Sequence, residues 1–391
     1  MGKEALSQQN YESDANTILQ PALKRHLLQG AVVGILDGDG QQIFCVGKGV
    51  EDHGLFEIGS VTKVFTGLLL AILLDRGHIA LEDPICPFLP PWASTASRQH
   101  PIRILDLAIH TSGLPLLPDD VGRMRRRIDD PYAGYTFDDF YRYLARVPLE
   151  RPIPTTYRYS NQGYALLADI MHKTTGVPFP QLISQEILEP LKMHDTFVDV
   201  LEAQEHRVLP GYTQLGRPAI HWRSEIFAGC GGVCSTAADC LRFLRLFLAP
   251  PPEWRGIVEN MLEPRVQTGL GIDEDQVALS WKINSSTGWY WHDGVTGGHT
   301  AHLAFHPQRR AGIVILTNRY AINLMKDFAR HMHRVLEGSP AEPMTGFYEL
   351  PRAIASQAVI EFAHLPFWVR SGAAAATAGG LLSALLHELS R

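Results

Sequence analysis

The sequence predicts an α+β fold in which one sheet is built from strand pairs near both ends of the chain and interrupted by a mostly helical insertion. Three observations predict it. AVVGILDGDGQQIFCVG (31–47) is two apolar, β-branched runs parted by Asp37-Gly38-Asp39-Gly40, a hairpin signal. AHLAFHPQRRAGIVILTN (301–318) has the same plan around a polar turn containing Pro307. Between them, residues 61–76, 137–146, 162–174 and 236–248 carry apolar side chains at helical spacing. The proline-rich stretches 84–91 and 148–154 are expected to be connections. No internal repeat is visible, and a site is expected where sheet and insertion meet.

The 391 residues allow two or three domains, or one large domain carrying an insertion. With 45% hydrophobic and 19% charged residues the chain is an ordinary globular protein rather than a disordered one. A net charge of −6 argues against a general nucleic-acid binder, which needs clustered Lys and Arg to neutralise phosphates. The basic run Arg123-Met124-Arg125-Arg126-Arg127 is followed at once by Asp129 and Asp130, the pattern of a solvated helix face.

MGKEALSQQNYESDANTI shows neither an apolar core of signal-peptide length nor a small-residue cleavage site, and Leu6 stands where myristoylation requires Ser or Thr. A cytoplasmic location is expected. Five cysteines, at 45, 86, 230, 234 and 240, make a poor disulfide framework. Cys230, Cys234 and Cys240 lack the Cys-x-x-Cys spacing of a zinc site and are expected to be small buried hydrophobes. LPFWVRSGAAAATAGGLLSALLH (365–387) has the length of a membrane span, but Arg370 and the Ala and Gly run make it weakly hydrophobic. A packed or surface-lying helix is expected there rather than membrane contact.

The first candidate for chemistry is FEIGSVTKVFTGLLLAILLDRGHI (56–79), an almost all-apolar helix that starts at Gly-Ser and ends at Gly77, a fitting C-terminal cap. Ser60 and Lys63, at i and i+3, share one helix face. A lysine at the N-terminus of a buried helix is misplaced for stability, because the macrodipole repels a cation and burial disfavours charge. Both effects favour a neutral amine able to take the Ser60 proton, and the amides of the same turn can hold an oxyanion. The plainer alternative makes Ser60 an N-cap and lets Lys63 snorkel to solvent.

The second candidate is YRYSNQGYALLADIMHKTTG (157–176). Tyr159 offers a phenol for proton transfer and Asn161 an amide for a substrate carbonyl; alternatively Tyr159 is a core aromatic and Asn161 an N-cap. The third is WHDGVTGGHT (291–300). Its glycines sit between strand-like runs, whereas a phosphate loop needs a helix after them. His292, His299, His302 and His306 do not make a metal site, since His299 and His302 would point to opposite strand faces and no Cys or acidic ligand is spaced to join them. No cofactor is expected.

In this order, Ser60-x-x-Lys63, Tyr159-x-Asn161 and His292-x-Gly294 resemble the three motifs of the serine β-lactamase and penicillin-binding-protein superfamily, more closely its class C β-lactamases, D-alanyl-D-alanine peptidases and related esterases. The lead-in FEIGS, HTSGLP (110–115), YSNQGY (159–164), GGVCSTAADCLRFL (231–244) and TGGH (296–299) fit as well, so the similarity covers roughly residues 25–335. The resemblance implies a three-layer α/β/α fold whose antiparallel sheet has helices on both faces, with a helical domain beside it and the site in the cleft between. A catalytic domain at about 20–340 follows, with a sheet lobe near 20–82 and 230–340 and a helical lobe near 83–229; residues 341–391 form a C-terminal helical extension of unknown role.

By the same likeness Ser60 is the acylated nucleophile, Lys63 and Tyr159 are the proton-transfer pair, and Asn161 contacts the substrate amide. The amides of Ser60 and Val295 form the oxyanion hole, with Gly294 beside them. His292-Asp293-Gly294 replaces the Lys-Thr-Gly of β-lactamases and many peptidases. His292 can carry a proton or stay neutral near physiological pH, unlike a fixed lysine cation. Asp293 replaces a threonine that helps hold a substrate carboxylate; facing the cleft it would repel an anion, and facing away it is only a strand residue. This departure, with the expected cytoplasmic location, weighs against efficient β-lactam hydrolysis. The implied function is a serine hydrolase acting on an ester or amide of a small-molecule or peptide substrate. The alternatives are an acyltransferase or peptide cyclase using the same acyl-enzyme, and a silent ligand-binding homologue.

Overall fold

The computed structural model describes residues 9–93, 100–121, 132, 134–147, 155–198, 202–271 and 274–344. The basic run 123–127, the connection 148–154 and the segment 365–387 lie outside them. The N-terminal hairpin pairs β1 (Gly30–Asp37) with β2 (Gly40–Gly47) antiparallel, Asp37 opposite Gly40. Gly38 turns the chain at φ +55°, a conformation an L side chain resists. Four strands follow late in the chain: β3 (Val266–Gln267), β4 (Gln276–Val277), β5 (Lys282–Asn284) and β6 (Trp289–Val295). The second expected hairpin closes the set, with β7 (Thr300–His306) and β8 (Ala311–Thr317).

All eight form one antiparallel sheet in the order β2-β1-β8-β7-β6-β5-β4-β3. The two ends of the chain meet where β1 pairs with β8, Val32 opposite Leu316. Side chains alternate between faces along each strand. Val32 and Leu36 of β1 join Val314 and Leu316 of β8 in the inner core, while Ala31, Val33 and Ile35 join Ala311, Ile313 and Ile315 in the outer one. Helices cover both faces, which is why β8 reads as an unbroken apolar run rather than an alternation.

The outer face is covered by α1 (Tyr11–Lys24) and, after α2 (Thr62–Asp75) and α3 (Asn161–Thr175), which pack against each other, the inner face by α4 (Ala237–Leu248); α5 (Ile322–Leu336) returns to the outer face beside α1. α2, α3 and α4 lie within a residue or two of the expected spans. α2 is buried from Thr62 to Leu73, and the Gly77 and His78 amides close its end on Leu74 and Leu73, with Gly77 at φ +70°. Thr236 caps α4 by accepting the Asp239 amide. The arrangement is the α+β, antiparallel, helix-covered architecture that the resemblance implies. Among the described residues, no helix is long and apolar enough to cross a membrane. The five cysteines are free thiols, and Cys230, Cys234 and Cys240 are buried.

Candidate active site

β5 pairs with β6 only as far as Trp291. Beyond it, the edge of β6 from His292 to Val295 faces the 3-10 turn Gly59–Val61 that leads into α2. This approach is possible only because two residues lack side chains. A Cβ on Gly294 would lie 1.8 Å from Ile58 O, and one on Gly59, which sits at φ +49°, would lie 2.6 Å from Val295 N. The turn therefore delivers Ser60 to the edge of β6, and Ser60, Asn161, Val295 and Thr296 line one small cavity of about 50 Å³ with Tyr132, Trp222 and Phe227.

Lys63 is fully buried, so it does not snorkel. Its Nζ donates to Ser60 Oγ at 2.9 Å and to the Cys230 carbonyl at 2.8 Å, both neutral acceptors. Burial without a carboxylate partner pushes its pKa down from 10.5 to about 8. Nor does Ser60 cap α2, whose N-cap is Val61 with no side-chain cap bond.

Ser160, not Asn161, caps α3: its Oγ accepts the Gly163 amide at 3.2 Å. That leaves the Asn161 Oδ1 buried without a hydrogen-bond partner at the cavity wall. The preceding Tyr159 is partly exposed rather than a core aromatic, with its ring 5.0 Å from Lys63 Nζ and its hydroxyl bonded to Ser60. Burial raises its pKa above the ordinary tyrosine value, against the nearby Lys282 charge and the Ser60 bond. His110, from the HTSGLP stretch, packs on the Tyr159 ring at 4.4 Å and accepts the Ser160 amide at Nδ1, 3.1 Å away. It holds the Tyr159 segment in place from a left-handed backbone, φ +61°.

His292 is buried and lies near Tyr159, ring centroids 6.4 Å apart. Its Nδ1 is 2.7 Å from the Asp293 carbonyl, a pure acceptor, so Nδ1 carries the proton and the unpartnered Nε2 is a lone pair. Burial, with the charges of Lys282 and Lys63 added, holds its pKa well below 6.5. Of the two states the sequence left open for His292 near physiological pH, protonated or neutral, burial favours the neutral imidazole. A pH–rate profile of acylation is accordingly expected to rise through about 8 with Lys63, and His292→Asn to keep that limb while changing the plateau; loss of the limb in the variant would reassign it to the histidine.

Asp293 as a substrate-binding residue is corrected. Strand alternation turns it to the outer face, where its Oδ1 meets His302 Nδ1 at 2.7 Å and its Oδ2 lies 3.6 Å from Lys326 Nζ on α5. It lines a separate cavity of about 220 Å³ between the sheet and α5, so its own carboxylate does not stand in the cleft beside Ser60. In the next turn, neither Gly297 nor Gly298 takes a positive φ; a Cβ on Gly298 would lie 2.7 Å from Gly211 Cα, so close approach and not a tight turn requires it.

Sequence reasoning missed the hub beneath this turn. Glu57 is buried; burial alone would raise its pKa, but hydrogen bonds from His221 and His299 hold it well below the usual carboxylate range. His299 Nδ1 at 2.9 Å, the Thr296 hydroxyl at 2.5 Å and the Trp222 amide at 2.9 Å all converge on it. Glu57 thereby ties the lead-in to Ser60, the loop bearing Trp222 and the wall at Thr296 into one unit. Its only sequence signal was a carboxylate inside the otherwise apolar FEIGS. Among the described residues, no group of three His, Cys, Asp or Glu side chains is placed to hold a metal ion.

The Beta-lactamase family model matches residues 15–332. The chain is 28% identical over 288 residues to the D-alanyl-D-alanine-carboxypeptidase/endopeptidase AmpH of Escherichia coli (strain K12), covering 70% of this chain and 73% of that protein. It is 27% identical over 313 residues to a beta-lactamase of the same organism, covering 69% and 77%. A solved class C beta-lactamase superposes with a TM-score of 0.73 at 22% identity, covering 87% of this chain and all of that one. Matched to the family model over most of its length, the chain belongs to the Beta-lactamase family.

Proposed function

We propose that Ser60 is the nucleophile of a serine hydrolase that cleaves an ester or amide through an acyl-enzyme. The observation that carries the assignment is the fully buried Lys63 amine, 2.9 Å from Ser60 Oγ, with only neutral partners. With a pKa of about 8, roughly a tenth of Lys63 is the free base at pH 7. Lys63 takes the Ser60 proton as Oγ attacks the substrate carbonyl carbon. The oxyanion is received by the amides of Ser60 and Val295, and Asn161 orients the substrate amide. Tyr159 gives its proton to the leaving group and regains one from Lys63, so the step closes with an ester on Ser60 and no net proton change. Water then attacks that ester.

The acyl pocket supports a neutral, partly apolar substrate. Tyr132, Trp222 and Phe227 wall it, no lysine or arginine among the described residues lines it, and His292 offers a lone pair where the family motif has an ammonium. Esterase activity on small acyl groups fits that lining better than recognition of an anionic β-lactam. Free thiols at all five cysteines agree with a reducing compartment, which supports a cytoplasmic protein.

Intact mass after a fluorophosphonate probe tests the nucleophile: one adduct is expected on the wild type and none on Ser60→Ala. An equal adduct on both, or none on either, rejects it. A turnover panel of p-nitrophenyl esters, nitrocefin and D-amino-acid amides tests the substrate class, with the esters expected to be turned over fastest.

A further inference from the structure

Lys282 belongs to no motif, yet it reaches the centre of the site. It stands on β5 directly opposite Trp291 of β6, and its Nζ lies 4.7 Å from the Trp291 ring and 5.6 Å from the Tyr159 ring. Glu274 holds it there: Oε2 takes the ammonium at 2.8 Å, while Oε1 accepts the Tyr157 hydroxyl at 2.8 Å, two residues before Tyr159. Lys282 and Glu274 are each only 13% exposed. The Tyr159 ring is thus flanked by two ammonium groups, Lys63 at 5.0 Å and Lys282 at 5.6 Å. One is hydrogen-bonded to the nucleophile; the other belongs to a tie between the sheet edge and the tyrosine segment.

His292, in the strand position of the family lysine, is neutral and contributes no charge. A phenol that hands a proton to a leaving group becomes a phenolate, and a fixed cation beside it makes that transfer easier. We propose that Lys282 is a positioning residue for leaving-group protonation: its charge, held by Glu274, stabilises the Tyr159 phenolate that forms as the proton passes to the departing oxygen or nitrogen. The inference rests on the acyl-enzyme reading above. In that step the carbonyl carbon loses its bond to the leaving atom, the phenol O–H breaks and the new bond to the leaving atom forms, so electrons balance without a further reactant. Burial raises the Tyr159 pKa, and the Lys282 charge is the leading influence opposing it, consistent with that role.

The consequence depends on the leaving group, which a purely structural role would not. A p-nitrophenolate departs without a proton; an alkoxide does not. Lys282→Met is expected to lower kcat/KM for ethyl butyrate about tenfold relative to p-nitrophenyl butyrate, the size of a single screened charge at this distance. Lys282→Arg, which keeps the charge, is expected to restore the ratio. Equal losses on both esters, no loss on either, or failure of Lys282→Arg to recover the ratio in a protein with wild-type thermal stability would overturn the proposal. Fluorophosphonate labelling separates the two readings. A wild type that labels at Ser60 but shows no leaving-group dependence in Lys282→Met sinks only the Lys282 role; a wild type that does not label removes the acyl-enzyme reading and this role with it.

Discussion

Lys63→Met is expected to abolish acylation and, at pH 7, to raise the melting temperature. The catalytic loss is at least about two orders of magnitude, the usual effect of removing a positioned base, and intact-mass kinetics with a fluorophosphonate measure it. The stability gain follows from the depressed pKa. Folded Lys63 loses its proton at about 8 and the unfolded lysine near 10.5, so below pH 8 the folded state carries a buried cation that costs about 3 kcal/mol. The sign is fixed by proton counting. Between those values the unfolded chain binds the extra proton, so wild-type stability rises with pH and the penalty is gone above 10.5. Methionine removes the penalty at about the same side-chain length but leaves the Cys230 carbonyl without its donor, which returns about 1–3 kcal/mol. A rise of a few degrees at pH 7 that shrinks towards pH 10 is therefore expected. A melting temperature that falls at pH 7 would mean that Lys63 is not held as a desolvated cation, and undiminished acylation would remove it as the base.

Gly294→Ala is expected to be the most damaging single-methyl change in the site. Its Cβ would meet Ile58 O at 1.8 Å and Val61 N at 2.9 Å, both backbone atoms on either side of Ser60 that no rotamer can move aside. The turn must shift or β6 must bend, at a cost of about 3 kcal/mol or more. A displacement near 1 Å at the nucleophile costs about a hundredfold in rate. Gly256→Ala is the matched control: it lies in the helix Arg255–Leu262 with nothing within 4 Å of the new methyl, and helix propensity alone favours it by up to about 1 kcal/mol. Thermal melts of the two variants, with fluorophosphonate labelling of each, decide the point. Similar melting temperatures for both would show that the turn does not pack against β6 as closely as described.

Much of the site was legible because its residues are local. Ser60 and Lys63 are one helical turn apart, and the misfit of a cation in an apolar helix marks them without any knowledge of the fold. Tyr159 and Asn161 were readable as a pair, but the sequence left Asn161 open between a substrate contact and the N-cap of α3, because asparagine is a good N-cap. The structure assigns the cap to Ser160 and releases Asn161 into the cleft. α1 and α5 were not anticipated. They cover the outer face of a sheet whose apolar strands had already declared that both faces must be buried.

The sequence alone determined the elements and the chemical types: two hairpins at the ends, a buried helix carrying a serine and a misplaced lysine, and three ordered motifs. Those are properties of adjacent residues, governed by backbone geometry and side-chain periodicity. Only the tertiary structure decided what depends on contacts between distant segments. Asp293 turns away from the cleft because His302 and Lys326 wait on the outer face. His292 is neutral because burial and the lysines around it disfavour a second proton. Glu57 and Lys282 matter because of residues far along the chain: Trp222 and His299 converge on Glu57, and the Tyr159 ring lies against Lys282. Charge state and side-chain partnership are set by the whole local field and by desolvation, which exist only once the chain has folded.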